Sequence, residues 1–211
     1  MSAAGPTPMT SNQPPNVVLA SGSRPRARML VNAGVPFTVN PSSVDENSAK
    51  ASMRAAGADV ADVAEMLAAT KAQQVSRNHA GELVVGADQM LACDGDWFDK
   101  PASLGEARNQ LVSLRGKTHE LISAVCVVCD GVVIWHHIER ATITMRHFSD
   151  EFIDQYIAKM DEDILATVGG YELEGLGAQL FSRIEGDYFT ILGMPLLPLL
   201  EFLRGHGVIT E

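Results

Sequence analysis

The sequence predicts a mixed α/β fold. Short runs rich in Val, Ile and Leu alternate with stretches whose apolar residues recur at helical spacing. The first part of the chain reads strand, helix, strand, helix, and an Asp-Gly pair later joins two β-type runs before a further helix. With 211 residues and 46% hydrophobic content the chain can build a sizeable core. No internal repeat or linker interrupts residues 16–211, so one domain is expected there.

Val17-Val18-Leu19-Ala20 reads as a short buried strand, and Ser21-Gly22-Ser23 as the turn after it. A helix rich in arginine follows, with Arg24, Arg26 and Arg28 in five residues. Hydroxyls and backbone N–H groups at a helix start favour an anion, and arginine offers a phosphate bidentate hydrogen bonds. A solvated basic helix is the plainer alternative. Residues 34–39 suggest a turn into a second short strand, after which Asp45 and Glu46 precede a polar loop. Residues 60–77 predict a helix, with Val60, Val63, Ala64, Leu67 and Val75 on one face. Lys71 falls on that face, where it either snorkels to the rim or reaches into a cleft.

The run from Glu82 to Leu91 predicts a buried strand containing Gly86 and Asp88. An acid in that setting either caps the next element or does chemistry, because open α/β sheets bind ligands outside their strand ends. Asp99-Lys100-Pro101 reads as an extended turn, and Ser103 with Glu106 as a capping box starting a helix through Leu114. Asp130-Gly131 joins the runs 121–129 and 132–138 into a hairpin whose second strand, alternating on to 147, is long or bent. Ser149 caps a helix bearing Phe152, Ile153, Tyr156, Ile157 and Met160. A glycine-punctuated loop at 169–177 carries Glu172 and Glu174, then come a β run through Ile184 and an apolar helix ending near Arg204.

Sixteen Lys and Arg against 26 Asp and Glu leave a net charge of −10. That field repels nucleic acid and anionic membranes, so a polyanionic ligand needs a locally basic pocket. No stretch is long and apolar enough to span a membrane. Residues 1–15 hold four of the ten prolines and lack the features of a signal peptide, so they read as a disordered leader. The three cysteines point to a reducing cytoplasm. Cys126 and Cys129, three apart on a strand, should face opposite ways and form no metal or redox pair. The histidines show no zinc-binding pattern, no Gly-x-x-x-x-Gly-Lys-Ser/Thr loop is present, and no Gly-x-Gly-x-x-Gly turn follows an early strand.

Eight segments, each weak alone, occur in a telling order: Leu-Ala-Ser-Gly-Ser-x-x-Arg (19–26), Val-Asp-Glu (44–46), Lys71-Ala72, Val-Val-Gly-Ala-Asp-Gln (84–89), Asp-Lys-Pro (99–101), Gly-Lys-Thr-His (116–119), Glu-Gly (174–175) and Gly-Met-Pro-Leu (193–196). Together they resemble the Maf family of nucleoside triphosphate pyrophosphatases over about residues 17–208. The resemblance implies a Maf/inosine-triphosphatase-like elongated mixed sheet with flanking helices, in two lobes around a deep cleft. It implies cleavage of a nucleoside triphosphate between its α and β phosphates, giving the monophosphate and pyrophosphate. It further implies Asp88 as proton acceptor, a divalent metal (Mg2+ or Mn2+) held by Glu46 and Asp88, and Arg26, Lys71 and Lys100 on the triphosphate. Ser21 and Ser23 would donate hydrogen bonds at the helix start, and a homodimer is an admissible assembly.

The chemistry of these residue types agrees, since Mg2+ is commonly held by one or two carboxylates plus substrate phosphates. Three positions bear on the base. The opening motif often reads Ser-Pro-Arg-Arg, whereas here it is Ser23-Arg24-Pro25-Arg26, and Pro25 matches neither branch of the family cleanly. The dTTP/UTP-specific branch carries Thr after the catalytic aspartate and Gln before the later glycine; here these are Gln89 and Glu174. Asp-Gln with Glu-Gly resembles the 7-methyl-GTP branch, where a carboxylate can pair with a cationic methylated guanine. A dTTP- or UTP-preferring enzyme is the alternative. A non-catalytic nucleotide-binding regulator of cell division is the rival from another class, and the presence of both Asp88 and Glu46 argues against it.

Overall fold

The computed structural model describes residues 14–210, so the expected leader lies almost wholly outside the described residues. Seven strands form one mixed sheet: β1 (Val17–Leu19), β2 (Thr38–Val39), β3 (Leu83–Cys93), β4 (Asp96–Phe98), β5 (Thr118–Cys129), β6 (Val132–Met145) and β7 (Phe181–Glu185). Their order is β2-β1-β3-β5-β6-β7, with β4 paired to β3 off that path. β1 runs parallel to β2 and β3; the remaining pairings are antiparallel.

The helices are α1 (Arg24–Asn32), α2 (Glu46–Ala55), α3 (Val60–Ser76), α4 (Leu104–Leu114), α5 (Asp150–Met160), α6 (Tyr188–Ile191) and α7 (Leu196–Gly205). α3 covers one face of the sheet, burying Val63, Leu67 and Ala72 against Val18, Val84, Ile122 and Ala124. α1 and α7 cover the opposite face through Met29, Leu30, Leu199 and Leu203. Each fully buried leucine adds about 2 kcal/mol of apolar transfer free energy. A separate core joins α4 and α5 to the far ends of β3, β5 and β6, around Leu91, Leu111, Ile143, Ile153 and Tyr156.

Most sequence expectations reappear. Ser103 and Ser149 cap α4 and α5 by accepting from Glu106 N and Phe152 N, at 3.2 Å each. Glu106 reaches back to Ala102 N at 2.9 Å rather than to the cap residue itself. Asp130-Gly131 turns the β5–β6 hairpin, and β6 continues unbroken to Met145. Cys126 packs under α3 while Cys129 packs against the α1–α7 core, on opposite faces as their spacing requires.

Three elements depart from expectation. Residues 46–55 form α2 rather than a polar loop: Asp45 accepts from Ser48 N at 3.1 Å, and the helix fully buries no residue, resting on the core only through Ala49 and Met53. β4 arises because Asp94 and Gly95, at φ 53° and 86°, turn the chain back along β3. α6 is a single turn that the sequence does not predict, capped by Asp187, which accepts from Phe189 N at 2.9 Å and Thr190 N at 3.1 Å; the expected last helix is α7.

Strand β3 decides where a ligand can sit. β1 pairs with it only as far as Val85, and β4 only from Leu91. Residues 86–90 are therefore paired to β5 on one side and to no strand on the other. The open edge is the floor of the cleft.

Candidate active site

Asp88 and Gln89 sit on that edge and, as strand neighbours, point to opposite faces. Asp88 faces α3, where Gly86 lets the helix come close. A Cβ on Gly86 would stand 2.1 Å from the Ala68 carbonyl oxygen and 2.9 Å from Ala72 Cβ, so only glycine admits this approach. The close packing brings Lys71 Nζ to 2.5 Å from Asp88 Oδ1 and 2.8 Å from Glu46 Oε1. Lys71 and Asp88 are both buried, and Asp88 Oδ2 has no hydrogen-bond partner. Burial pushes the Glu46 carboxyl upward, but Lys71, aided by Lys50 and Lys100, outweighs it and holds Glu46 below its ordinary range.

Arg26 enters from α1 and is held by neutral oxygens. Nε donates to Gly193 O at 2.8 Å, and Nη1 donates to Ala87 O at 2.8 Å and Ser21 Oγ at 3.2 Å. The Ala87 carbonyl belongs to the open edge of β3, so the guanidinium stands in for the missing neighbour strand. Two of the five guanidinium N–H groups, on Nη2, have no protein acceptor among the described residues. Burial lowers the Arg26 pKa, opposed by the charges of Asp88 and Glu46. Lys100 lines the same cleft, and its pKa is lowered first by burial and then by Arg26. Neither Arg26 nor Lys100 has a carboxylate within 4.0 Å among the described residues.

On the opposite face Gln89 is tied down. Its Nε2 donates to Ser123 Oγ at 3.0 Å and to the Thr190 and Ile191 carbonyls at 3.1 Å each. Ser21 Oγ accepts from Ser23 N at 3.3 Å as well as from Arg26, which leaves its hydroxyl hydrogen free to donate. Ser23 is the N-cap of α1, with no side-chain cap bond, and Pro25 lies in the first turn. Glu174 stands across the cleft, bonded to Arg28 and to Tyr188.

All ten residues singled out from sequence thus line one cleft of ≈ 1300 Å3. Sequence reasoning missed three participants. Lys50, 2.5 Å from Asp99, lies in the unread helix α2. Tyr171 joins the cleft wall and bonds His119 at 2.7 Å, and burial holds that imidazole neutral with a pKa of about 4. Tyr188, on short α6, gave no periodic signal.

A sheet edge opened between two cores brings together two buried cations and a buried carboxylate with an unpartnered oxygen, groups able to hold a polyanion beside an acid–base group. The family described as Maf-like protein matches residues 16–206. The chain belongs to the Maf family. A protein of Paramagnetospirillum magneticum called nucleoside triphosphate pyrophosphatase is 56% identical over 190 residues, covering 90% of this chain and 98% of its own. One of Rhodospirillum rubrum with the same name is 51% identical, covering 92% and 96%. A 7-methyl-GTP pyrophosphatase of Rhizobium johnstonii is 46% identical, covering 92% and 98%. No helix among the described residues is long and apolar enough to cross a membrane.

Proposed function

We infer that this Maf family member is a nucleoside triphosphate pyrophosphatase, hydrolysing its substrate between the α and β phosphates to the monophosphate and pyrophosphate. The observation that carries the reading is Asp88: buried, with Oδ1 on Lys71 and Oδ2 unpartnered, beside two cations without carboxylate partners. Arg26 and Lys100 hold the phosphates, and the Ser21 hydroxyl donates to a phosphate oxygen. Lys71 aims Asp88. Asp88 takes the proton of an attacking water as the water oxygen bonds to phosphorus. The P–O bond of the α–β bridge breaks and its electron pair leaves with pyrophosphate.

A divalent cation, Mg2+ or Mn2+, fits Glu46 and Asp88. Both offer only acceptor oxygens, and Asp88 Oδ2 is a buried acceptor without a donor. No group of three or more metal-ligating side chains occurs among the described residues, which suits an ion that shares substrate phosphates rather than a closed cage. When bound, such an ion supplies positive charge against the phosphate oxygens.

For the base, 7-methyl-GTP or a related modified purine is the reading that Gln89 and Glu174 favour, and some relatives bear that name. The test is pyrophosphate release from 7-methyl-GTP, GTP, dTTP, UTP and CTP with Mg2+ or Mn2+. Asp88→Asn should cut turnover about a thousandfold while triphosphate still binds. A dTTP or UTP preference would overturn the base and keep the enzyme. No release from any nucleotide would return the weight to a binding protein.

A further inference from the structure

Helix α2 is held in place by charge more than by apolar packing. It fully buries no residue and rests on the core only through Ala49 and Met53. At its start Glu46 meets Lys71 at 2.8 Å. At its end Arg54 meets Asp96 of β4 at 3.2 Å and lies over the Trp97 ring at 5.2 Å. Between them Lys50, one turn on from Glu46 and on the same face, meets Asp99 at 2.5 Å. Glu46, Lys50, Asp99 and Lys100 all line the large cleft.

The Lys50–Asp99 pair is lopsided. The Lys50 side chain is only 13% exposed, whereas that of Asp99 is 50% exposed. Among the described residues Asp99 is the one carboxylate within 4.0 Å of Lys50, and it accepts one of the three ammonium N–H groups, which leaves two to donate. A half-exposed carboxylate holds a lysine weakly. A phosphate chain carries several charges and competes well for the same ammonium. Position says which phosphates these are. The contacts run from Asp88 to Lys71 to Glu46, and Lys50 stands a turn beyond, away from the water that Asp88 deprotonates. In an in-line displacement the leaving group lies opposite the attacking water.

We propose that Lys50 is a seat for the leaving pyrophosphate, and that Asp99 competes with pyrophosphate for its ammonium. Lys50 then meets the negative charge that grows on the bridging oxygen and the β-phosphate as the bond breaks. Asp99 takes the ammonium back as pyrophosphate departs, so the product is not trapped among cations. Asp99 acts through Lys50 and is a positioning residue. The inference rests on the pyrophosphatase reading and on no choice of base.

The test is the dissociation constant of inorganic pyrophosphate, measured by calorimetry at fixed Mg2+, beside turnover of the nucleotide panel. Lys50→Met should weaken pyrophosphate about tenfold and lower kcat/KM, while Lys50→Arg keeps most of both. Asp99→Asn should tighten pyrophosphate about threefold and strengthen its product inhibition to match. Placed in Lys50→Met, the same Asp99→Asn change should leave pyrophosphate binding where it was. Arg54→Met, which loosens α2 from β4 outside the cleft, should not alter pyrophosphate binding. If Asp99→Asn tightens pyrophosphate equally with and without Lys50, Asp99 acts only on the field of the cleft and the proposal is overturned. Weakening by Arg54→Met as large as by Lys50→Met overturns it too, as does a Lys50→Met protein that binds pyrophosphate like the wild type. With an active wild type, each of these results leaves the pyrophosphatase reading standing. A wild type that releases pyrophosphate from no nucleotide overturns that reading, and the seat with it.

Discussion

Arg26 and Lys71 are both buried cations on the wall of one cleft, and the protein satisfies them in opposite ways. Lys71 meets two carboxylates at 2.5 and 2.8 Å, so its charge is neutralised inside the protein. Arg26 meets only two carbonyls and a hydroxyl, so its charge is solvated by dipoles and left uncancelled. A chain with a net charge of −10 draws in a triphosphate only where a cation stays unneutralised. On the proposed function Arg26, with Lys100, would supply that field, while Lys71, in contact with both carboxylates, is their internal counterion. The difference separates two jobs that composition alone treats as one.

Substitutions can break this contrast. The largest effect belongs to Arg26→Met, which removes an uncancelled charge facing the phosphates. It should cost about 3 kcal/mol of transition-state stabilisation, roughly a hundredfold in kcat/KM, with the fold intact by circular dichroism. Lys71→Met should show mainly in stability: stranding the buried Asp88 carboxylate costs about 3 kcal/mol in chemical denaturation. Adding Asp88→Leu to Lys71→Met should recover most of that loss while abolishing turnover, because an apolar pair replaces the ion pair and the base is gone. If Arg26→Met instead unfolded the protein and Lys71→Met did not, the assignment of the two cations would be reversed.

The smallest effect is a pH dependence. Glu46 in the folded chain lies below its ordinary value of 4.5, so the unfolded chain binds the proton first on acidification. The stabilisation is fully present above about pH 4.5 and is lost as pH falls through the lower folded value. Melting temperature should therefore decline below that pH, and Glu46→Gln should flatten part of the decline. An unaltered slope in that variant would show that the Lys71–Glu46 contact carries no linkage.

Much of the fold was legible in residues 17–30 and 82–93, because buried strands and amphipathic helices write their period into the chain. α2 and β4 were not. One touches the core only through Ala49 and Met53 and the other is three residues long, so neither leaves a long apolar period. Among the site residues, Asp88 and Lys71 stood out as charges in apolar settings. Tyr188 did not, because its only mark is a contact made across 14 residues to Glu174.

By itself the sequence determined which chemical groups were available: a basic helix start, a lysine on an apolar face, a carboxylate within a buried strand, and a glycine two residues before it. Each follows from local rules of backbone geometry and periodicity. The tertiary structure alone decided which of those groups meet. Gly86 sets the distance of α3 from β3 and so joins Lys71 to Asp88. The gap between β1 and β4 opens the edge where Arg26 replaces a strand. Pairing across a sheet depends on register and helix approach, which are settled by the packing of whole layers and not by any one segment.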